Sequence, residues 1–437
     1  MAFGGGSFQQ GLSGLNAAQR GLEVIANNVS NASVVGFKGS QAEFADVFAR
    51  AFNGVRSTNG IGLGTSLAAV TQNFKQGNIN VTGNPLDLAV SGTGFFKVKA
   101  AGNGDNVYTR NGQFSLDKDS FIVNSKGDRL QGFPIDSTTG RVADVSQDIR
   151  VSRAAIPPKA STTSSLEMNL DARATAISGA IPFDPANLNS YTNTTSMTVY
   201  DELGEEHIMS VYTRKESTNN WSVYATVDGT QVDVGLSPVT PTVAPAQSAA
   251  GALAFGTDGR LTTPTNASFV VDLSRFVTAS GRAFSTTTAT PNQYSFDLSS
   301  TTQYGSSFAV QNLSQNGYEA SPFTGFDIGA DGMLAVSYAN GQIVRQAQIG
   351  LYRFPNPEAL QAVGANGWLA TEAAGAELVS LSEDTAFGII QSGALEDSNI
   401  DLTAELVAMI SAQRVYQANS QSIKTQDSLL QTITNLR

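Results

Sequence analysis

"DLTAELVAMISAQRVYQANSQSIKTQDSLLQTITNLR", residues 401–437, holds neither glycine nor proline, and most of its residues favour helix. Leu402, Leu406, Met409, Tyr416, Ile423, Leu430 and Ile433 return along one side and draw an apolar stripe, thinned in the middle by polar residues. A continuous helix here would reach on the order of 50 Å at 1.5 Å per residue. So long an amphipathic helix must bury its stripe, and the sequence offers a partner at its other end. From Ser7 to about Ser33, Phe8, Leu12, Leu15, Leu22 and Val29 fall on an alternating four-and-three pattern in which small Ala26 fills one slot and Gln19 interrupts another, with Ser7 as the expected N-cap. The expectation is a coiled-coil-like hairpin of two terminal helices, closed by everything between them.

The interior is of a different texture. "GFFKVKAAGNGDNVYTRNGQFSLDKDSFIVNSKGDRLQGFP" (94–134) alternates short β-prone runs with Asn-Gly, Asp-Lys-Asp and Lys-Gly-Asp turns, the pattern of a meander. In "NWSVYATVDG" (220–229), Trp221, Val223, Ala225 and Val227 share one face, opposite Ser222, Tyr224 and Thr226. Residues 235–302 are rich in Thr, Ala, Pro and Ser and read as loops and edge strands. "MLAVSYANGQIVRQAQIGLYRF" (333–354) reads as a hairpin around Asn340-Gly341. "PNPEALQAVG" (355–364) reads as a short helix capped by Asn356 and stopped at Gly364.

The fold class is therefore α+β: paired terminal helices with nested, mainly antiparallel β domains inserted between them. The expected boundaries are 1–33 with 395–437 for the helical core and 34–75 with 380–394 for an extended connecting region. Residues 76–146 with 320–379 form an inner β-rich domain, and 147–319 an outer one. In "GVRSTNGIGLG", Gly54, Gly60, Gly62 and Gly64 are hinge candidates in that connecting region.

Composition excludes much. A formal net charge of -11, from 26 Lys and Arg against 37 Asp and Glu, leaves no basic excess for nucleic acid. Apolar runs are too short for membrane insertion. The chain has no cysteine, so disulfides and thiolate metal sites are out. Its opening residues lack the basic and apolar regions of a cleavable signal peptide. The single histidine, His207, beside Glu205 and Glu206, reads as a surface residue next to a hairpin turn. "DIGADGML" (327–334) starts like a calcium loop, but Tyr338 stands where the bidentate Glu belongs, so a turn explains it better. No cofactor, metal set or catalytic constellation is expected. Two other classes stay open on the residues alone: a secreted β-rich adhesin, and a carbohydrate-cleaving enzyme using Asp201 with Glu205 or Glu206.

Four blocks carry a family resemblance. "GLSGLNAAQRGLEVIANNVSNASVVGFKGSQAEFADVF" (11–48) resembles the N-terminal signature of the flagellar axial proteins, the rod and hook family, with the motif at Asn27, Asn28, Gly36, Phe37 and Lys38. "GNPLDLAVSGTGFFKV", "YTRNGQFSLDKDSFIVNSKGDRLQGFP" and "GALEDSNIDLTAELVAMISAQRVYQANSQSIKTQD" resemble further blocks of that family, in order. The length, with its large middle insert, is similar to the hook members, with a distal rod or other axial protein as the alternative. The resemblance implies a homopolymer, a hollow curved tube that transmits torque from motor to filament, with terminal helices around a central channel. It also implies partners: rod and hook–filament junction proteins, a hook cap, and the hook-length and export machinery. Extracellular location, by flagellar type III export without a cleaved signal peptide, follows from the same resemblance.

Overall fold

In a computed structural model, residues 5–47, 64–136, 139–236, 251–264, 268–273, 276, 284, 293–381 and 387–435 are described. The chain divides into two compact units: residues 1–153, 324–337 and 343–437 make the first, and residues 154–323 with 338–342 the second.

The first unit holds two long helices, α1 (Gly5–Ser30) and α2 (Leu402–Asn435). Because α1 starts at Gly5, Ser7 lies inside the first turn rather than at the cap. Asp401 caps α2: its Oδ1 accepts from the amides of Thr403 (2.9 Å) and Ala404 (3.2 Å), satisfying donors the helix cannot. Two strands, β1 (Ser40–Val47) and β2 (Gly64–Gln72), pair antiparallel beside α1. Val47 and Gly64 stand opposite each other at the end of that pair. Of the hinge candidates, Gly54, Gly60 and Gly62 lie outside the described residues, and Gly64 opens β2, where an added Cβ would collide with Ser13 of α1.

Further along, strand Ile79–Val81 pairs with Ala394–Glu396, and Leu88–Ser91 with Ile389–Ser392, so early and late segments of the chain share ladders. Strands Met333–Tyr338, Ile343–Gln348, Arg129–Pro134, Phe96–Lys99, Asn106–Thr109, Gly367–Leu369 and Gln361–Gly364 follow one another in a sheet. Its core is aromatic: Phe95, Tyr108, Phe354 and Trp368 meet edge to face or tilted, and Phe74 stands edge-on to Phe95 at 5.4 Å. Such pairs add about 0.5–1.5 kcal/mol each beyond their buried area. This core corrects the expected helix at 355–364. Only Pro357–Ala359 makes a 3-10 turn, Asn356 does not cap it through its side chain, and Gln361–Gly364 is a strand. Ala365 and Asn366, both at positive φ, turn it back onto Gly367–Leu369, because burying Trp368 outweighs a local helix preference.

The second unit is a mixed sheet running Asn193–Tyr200, Glu206–Ser217, Asn220–Val227, Thr230–Leu236, Ser268–Asp272, Gln293–Asp297, Thr163–Asp171 and Thr302–Tyr304. Asp228 and Gly229 both take positive φ and form the two-residue turn that matches strand twist. Trp221, Val223, Ala225 and Val227 enter the core as their alternation predicts. The opposite face is covered too: Tyr224 stacks on Phe183 at 4.2 Å. The expectation of edge strands and loops over 235–302 needs correcting, since Ser268–Asp272 and Gln293–Asp297 are interior strands that give Phe269, Val271, Tyr294 and Phe296 to the core.

Candidate assembly core and its buried anchor

The helices run antiparallel, with Gly11 against Ile423, Gly14 against Asn419 and Asn28 against Glu405. Small residues set the contact. A Cβ on Gly14 would stand 2.9 Å from the Asn419 amide, and one on Gly11 3.0 Å from Ile423. The heptad-like stripe drawn from large residues is only partly this pairing face. Leu15, Leu22 and Val29 of α1 and Met409 and Ile423 of α2 are half-buried, whereas Phe8, Leu12, Leu402, Leu406 and Tyr416 are exposed. Leu430 and Ile433 lie on α2, with side chains outside the described ones. Sequence reading missed Val407 (63% exposed), Ile410 (52%) and Leu429 (57%), whose spacings of three and nineteen fall off the stripe it followed. Phe44 and Val47 of β1 and Leu67 and Val70 of β2 are exposed as well. Exposed apolar side chains thus recur on both helices and both strands.

The Asn-Asn to Gly-Phe-Lys motif does something else: it ties this apolar region to the sheet. Asn27, exposed, ends α1 by accepting from Asn31 through its carbonyl (Nδ2 2.8 Å). Asn28 is buried; it donates to Ser40 O (2.9 Å) and Glu405 Oε1 (3.0 Å) and accepts from Ser40 N (2.9 Å), so one amide joins α1, β1 and α2. Gly36 has φ +68, and an added Cβ would lie 2.6 Å from the backbone nitrogen of Asn111. Phe37 is half-buried after that turn. Asn399 closes the clasp: it accepts from Gly39 N at 2.9 Å and donates to Asn73 O at 2.7 Å.

Lys38 then enters a fully buried triad. Its Nζ donates to Glu396 Oε1 at 2.6 Å and to Lys75 O at 2.8 Å, while Arg110 Nη1 donates to Glu396 Oε2 at 3.1 Å. The Lys38 and Glu396 side chains are 0% exposed. Arg110 also donates to Gly92 O (2.9 Å), and Gly77 N donates to Glu396 Oε1 (2.9 Å). Burial pulls the Lys38 ammonium and the Arg110 guanidinium below their ordinary pKa values, and Glu396 opposes the pull on both. Two buried cations therefore depend on one carboxylate, drawn from chain positions 38, 110 and 396. Glu396 and Arg110 lie in the blocks that carry the family resemblance, yet nothing in their spacing marked them as partners of Lys38.

His207 is corrected from surface residue to buried one, 6% exposed, with Nδ1 2.7 Å from Asp228 Oδ2. Residues 327–334 form a hairpin turn, in which Gly329 N donates to Met333 O and Asp331 Oδ1 accepts from Met333 N. Among the described residues no helix is long and apolar enough to cross a membrane.

Comparison with known proteins agrees with this anatomy. Residues 8–38 match the family model "Flagella basal body rod protein", 89–178 "Flagellar hook protein FlgE/F/G D1 domain", 169–318 "Flagellar basal body protein FlaE D2 domain", and 391–436 "Flagellar basal body rod FlgEFG protein C-terminal". Flagellar hook protein FlgE of Escherichia coli is 37% identical, covering 99% of this chain and 100% of that one. FlgE of Salmonella typhimurium is also 37% identical, and that of Rhizobium meliloti 30%, each over 99% of this chain. The crystal structure of Helicobacter pylori flagellar hook protein FlgE2 shares the fold, with a TM-score of 0.52 at 12% identity, over 72% of this chain and 100% of that one. With near-complete coverage at this identity, the chain belongs to the flagellar hook protein family.

Proposed function

We propose that this hook-family subunit polymerises through its two helices, which pack in a coiled-coil-like layer with those of neighbouring copies around a central channel. The observation that carries the reading is the apolar surface left open on α1, α2, β1 and β2, Val407, Ile410 and Leu429 above all. At roughly 25 cal/mol per Å² of apolar surface removed from water, such a region supplies the attraction a stable tube needs. In this reading residues 1–33 with 395–437 are the helical core, 34–75 with 380–394 the connection, and 76–146 with 320–379 an inner β layer. Residues 147–319 are the outer layer, whose polar contacts slide as the hook bends while it transmits torque from motor to filament. Rod and junction proteins, a cap, and the length-control and export machinery are the corresponding partners, and export leaves the N-terminus uncleaved.

The test is a triple variant, Val407→Glu, Ile410→Glu and Leu429→Glu. All three side chains face solvent in the single chain, so its circular dichroism and melting temperature stay unchanged. Under conditions in which the parent chain forms hollow tubes by electron microscopy, the variant remains monomeric. Tubes of normal length from the triple variant would refute the proposal.

A further inference from the structure

We propose that Asp201, Glu205 and His207 bind a late first-row divalent cation of the Zn²⁺ type, with Asp228 as the outer carboxylate that orients the histidine. The site lies inside the second unit and does not depend on how the chain assembles.

Strand pairing brings the three residues together. Val199 stands opposite His207 and Tyr200 opposite Glu206, and Asp201 N donates to Glu205 O at 3.1 Å, carrying the ladder one step into the turn. With a side-chain period of two, Asp201, Glu205 and His207 therefore share one face. One ring nitrogen of His207 and one carboxylate oxygen from each acid lie within 4.8 Å of one another.

The histidine carries the second, independent observation. Its side chain is 7% exposed, and Nδ1 sits 2.7 Å from Asp228 Oδ2. A carboxylate can only accept, so Nδ1 bears the proton. Asp228 is itself held, its other oxygen accepting from Ile208 N at 2.8 Å. Nε2 is left buried with no hydrogen-bond partner among the described residues, an arrangement that costs free energy unless something takes its lone pair. A carboxylate on one ring nitrogen and an open lone pair on the other is the arrangement that orients metal-ligating histidines.

Asp201 is buried and fixed, its Oδ1 accepting from the amides of Leu203 (2.9 Å) and Glu205 (2.8 Å). Glu205 is exposed and free to close. Closure is needed, because ligands about 2.0 Å from a tetrahedral cation stand only about 3.3 Å apart. One imidazole and two carboxylates suit zinc or cobalt and leave a position for water.

The test uses metal-free full-length protein titrated with ZnCl₂ by calorimetry, alongside a ¹⁵N spectrum of the chain's single histidine. One cation binds per chain, the Nε2 resonance shifts, and the melting temperature rises. Asp228→Asn weakens binding about 10- to 100-fold, and His207→Gln abolishes it. Glu205→Gln, at an exposed position that leaves the fold intact, weakens it at least tenfold. Absence of stoichiometric binding, zinc uptake with an unmoved Nε2 resonance, or wild-type affinity in Glu205→Gln would each overturn the proposal.

Discussion

Glu396→Gln keeps the shape of the buried side chain and removes its charge. Lys38 and Arg110, which share that carboxylate at 2.6 and 3.1 Å, are then left as two cations with no carboxylate partner among the described residues. Breaking a buried pair by removing one partner costs about 3–5 kcal/mol, and here two cations lose theirs, so the upper part of that range applies. At about 1.4 kcal/mol per tenfold, the local folding equilibrium shifts by roughly three orders of magnitude. The chain's two tryptophans make the effect readable. Trp368 belongs to the aromatic core of the first unit and Trp221 to the core of the second. In single-tryptophan backgrounds, urea unfolding followed at Trp368 shifts to lower denaturant, while the Trp221 transition holds still. A triple replacement, Lys38→Met, Arg110→Met and Glu396→Leu, removes the stranded charges and recovers most of the loss. A Trp368 midpoint unchanged in Glu396→Gln would refute this account of the anchor.

Gly36→Ala forces a Cβ into a left-handed turn, 2.6 Å from the Asn111 backbone. It lowers the same Trp368 transition by at least about 1–3 kcal/mol. At high pH both units weaken together. Burial pushes the phenols of Tyr294 and Tyr352 up to about 12, against about 10 in the unfolded chain, so their contribution is whole below pH 10 and fades as pH rises towards 12. Each group then gives up roughly 2–3 kcal/mol. Urea midpoints at pH 9 and pH 11, with tyrosinate absorbance followed in parallel, check the sign.

The local features were legible where one periodicity governs. Helix α2 runs from Leu402 because Asp401 caps it and no glycine or proline interrupts it, and the Trp221–Val227 strand shows its period of two plainly. What stayed hidden depended on partners distant in sequence. Gln361–Gly364 is a strand only because Trp368 must be buried, and the Ser268–Asp272 and Gln293–Asp297 strands look featureless until they pair with each other. His207 read as exposed because its neighbours are acidic, yet Asp228 and the rings of Phe276 and Phe284 enclose it. The triad was split in the same way: Lys38 stood out in its motif, but 358 residues separate it from Glu396. Helix pairing through Gly11 and Gly14 escaped a search for large apolar residues, since close approach requires small ones.

With no native cysteine, one introduced thiol reports on one position. Ile410→Cys lies on the exposed face of α2, and Leu188→Cys on an exposed site in the second unit. Both react rapidly with a maleimide in the monomer. After polymerisation, the account predicts that Cys at 410 becomes protected by at least tenfold while Cys at 188 stays reactive. A thiol at 410 that labels in tubes as fast as in monomer would contradict the central claim that the helices form the assembly core.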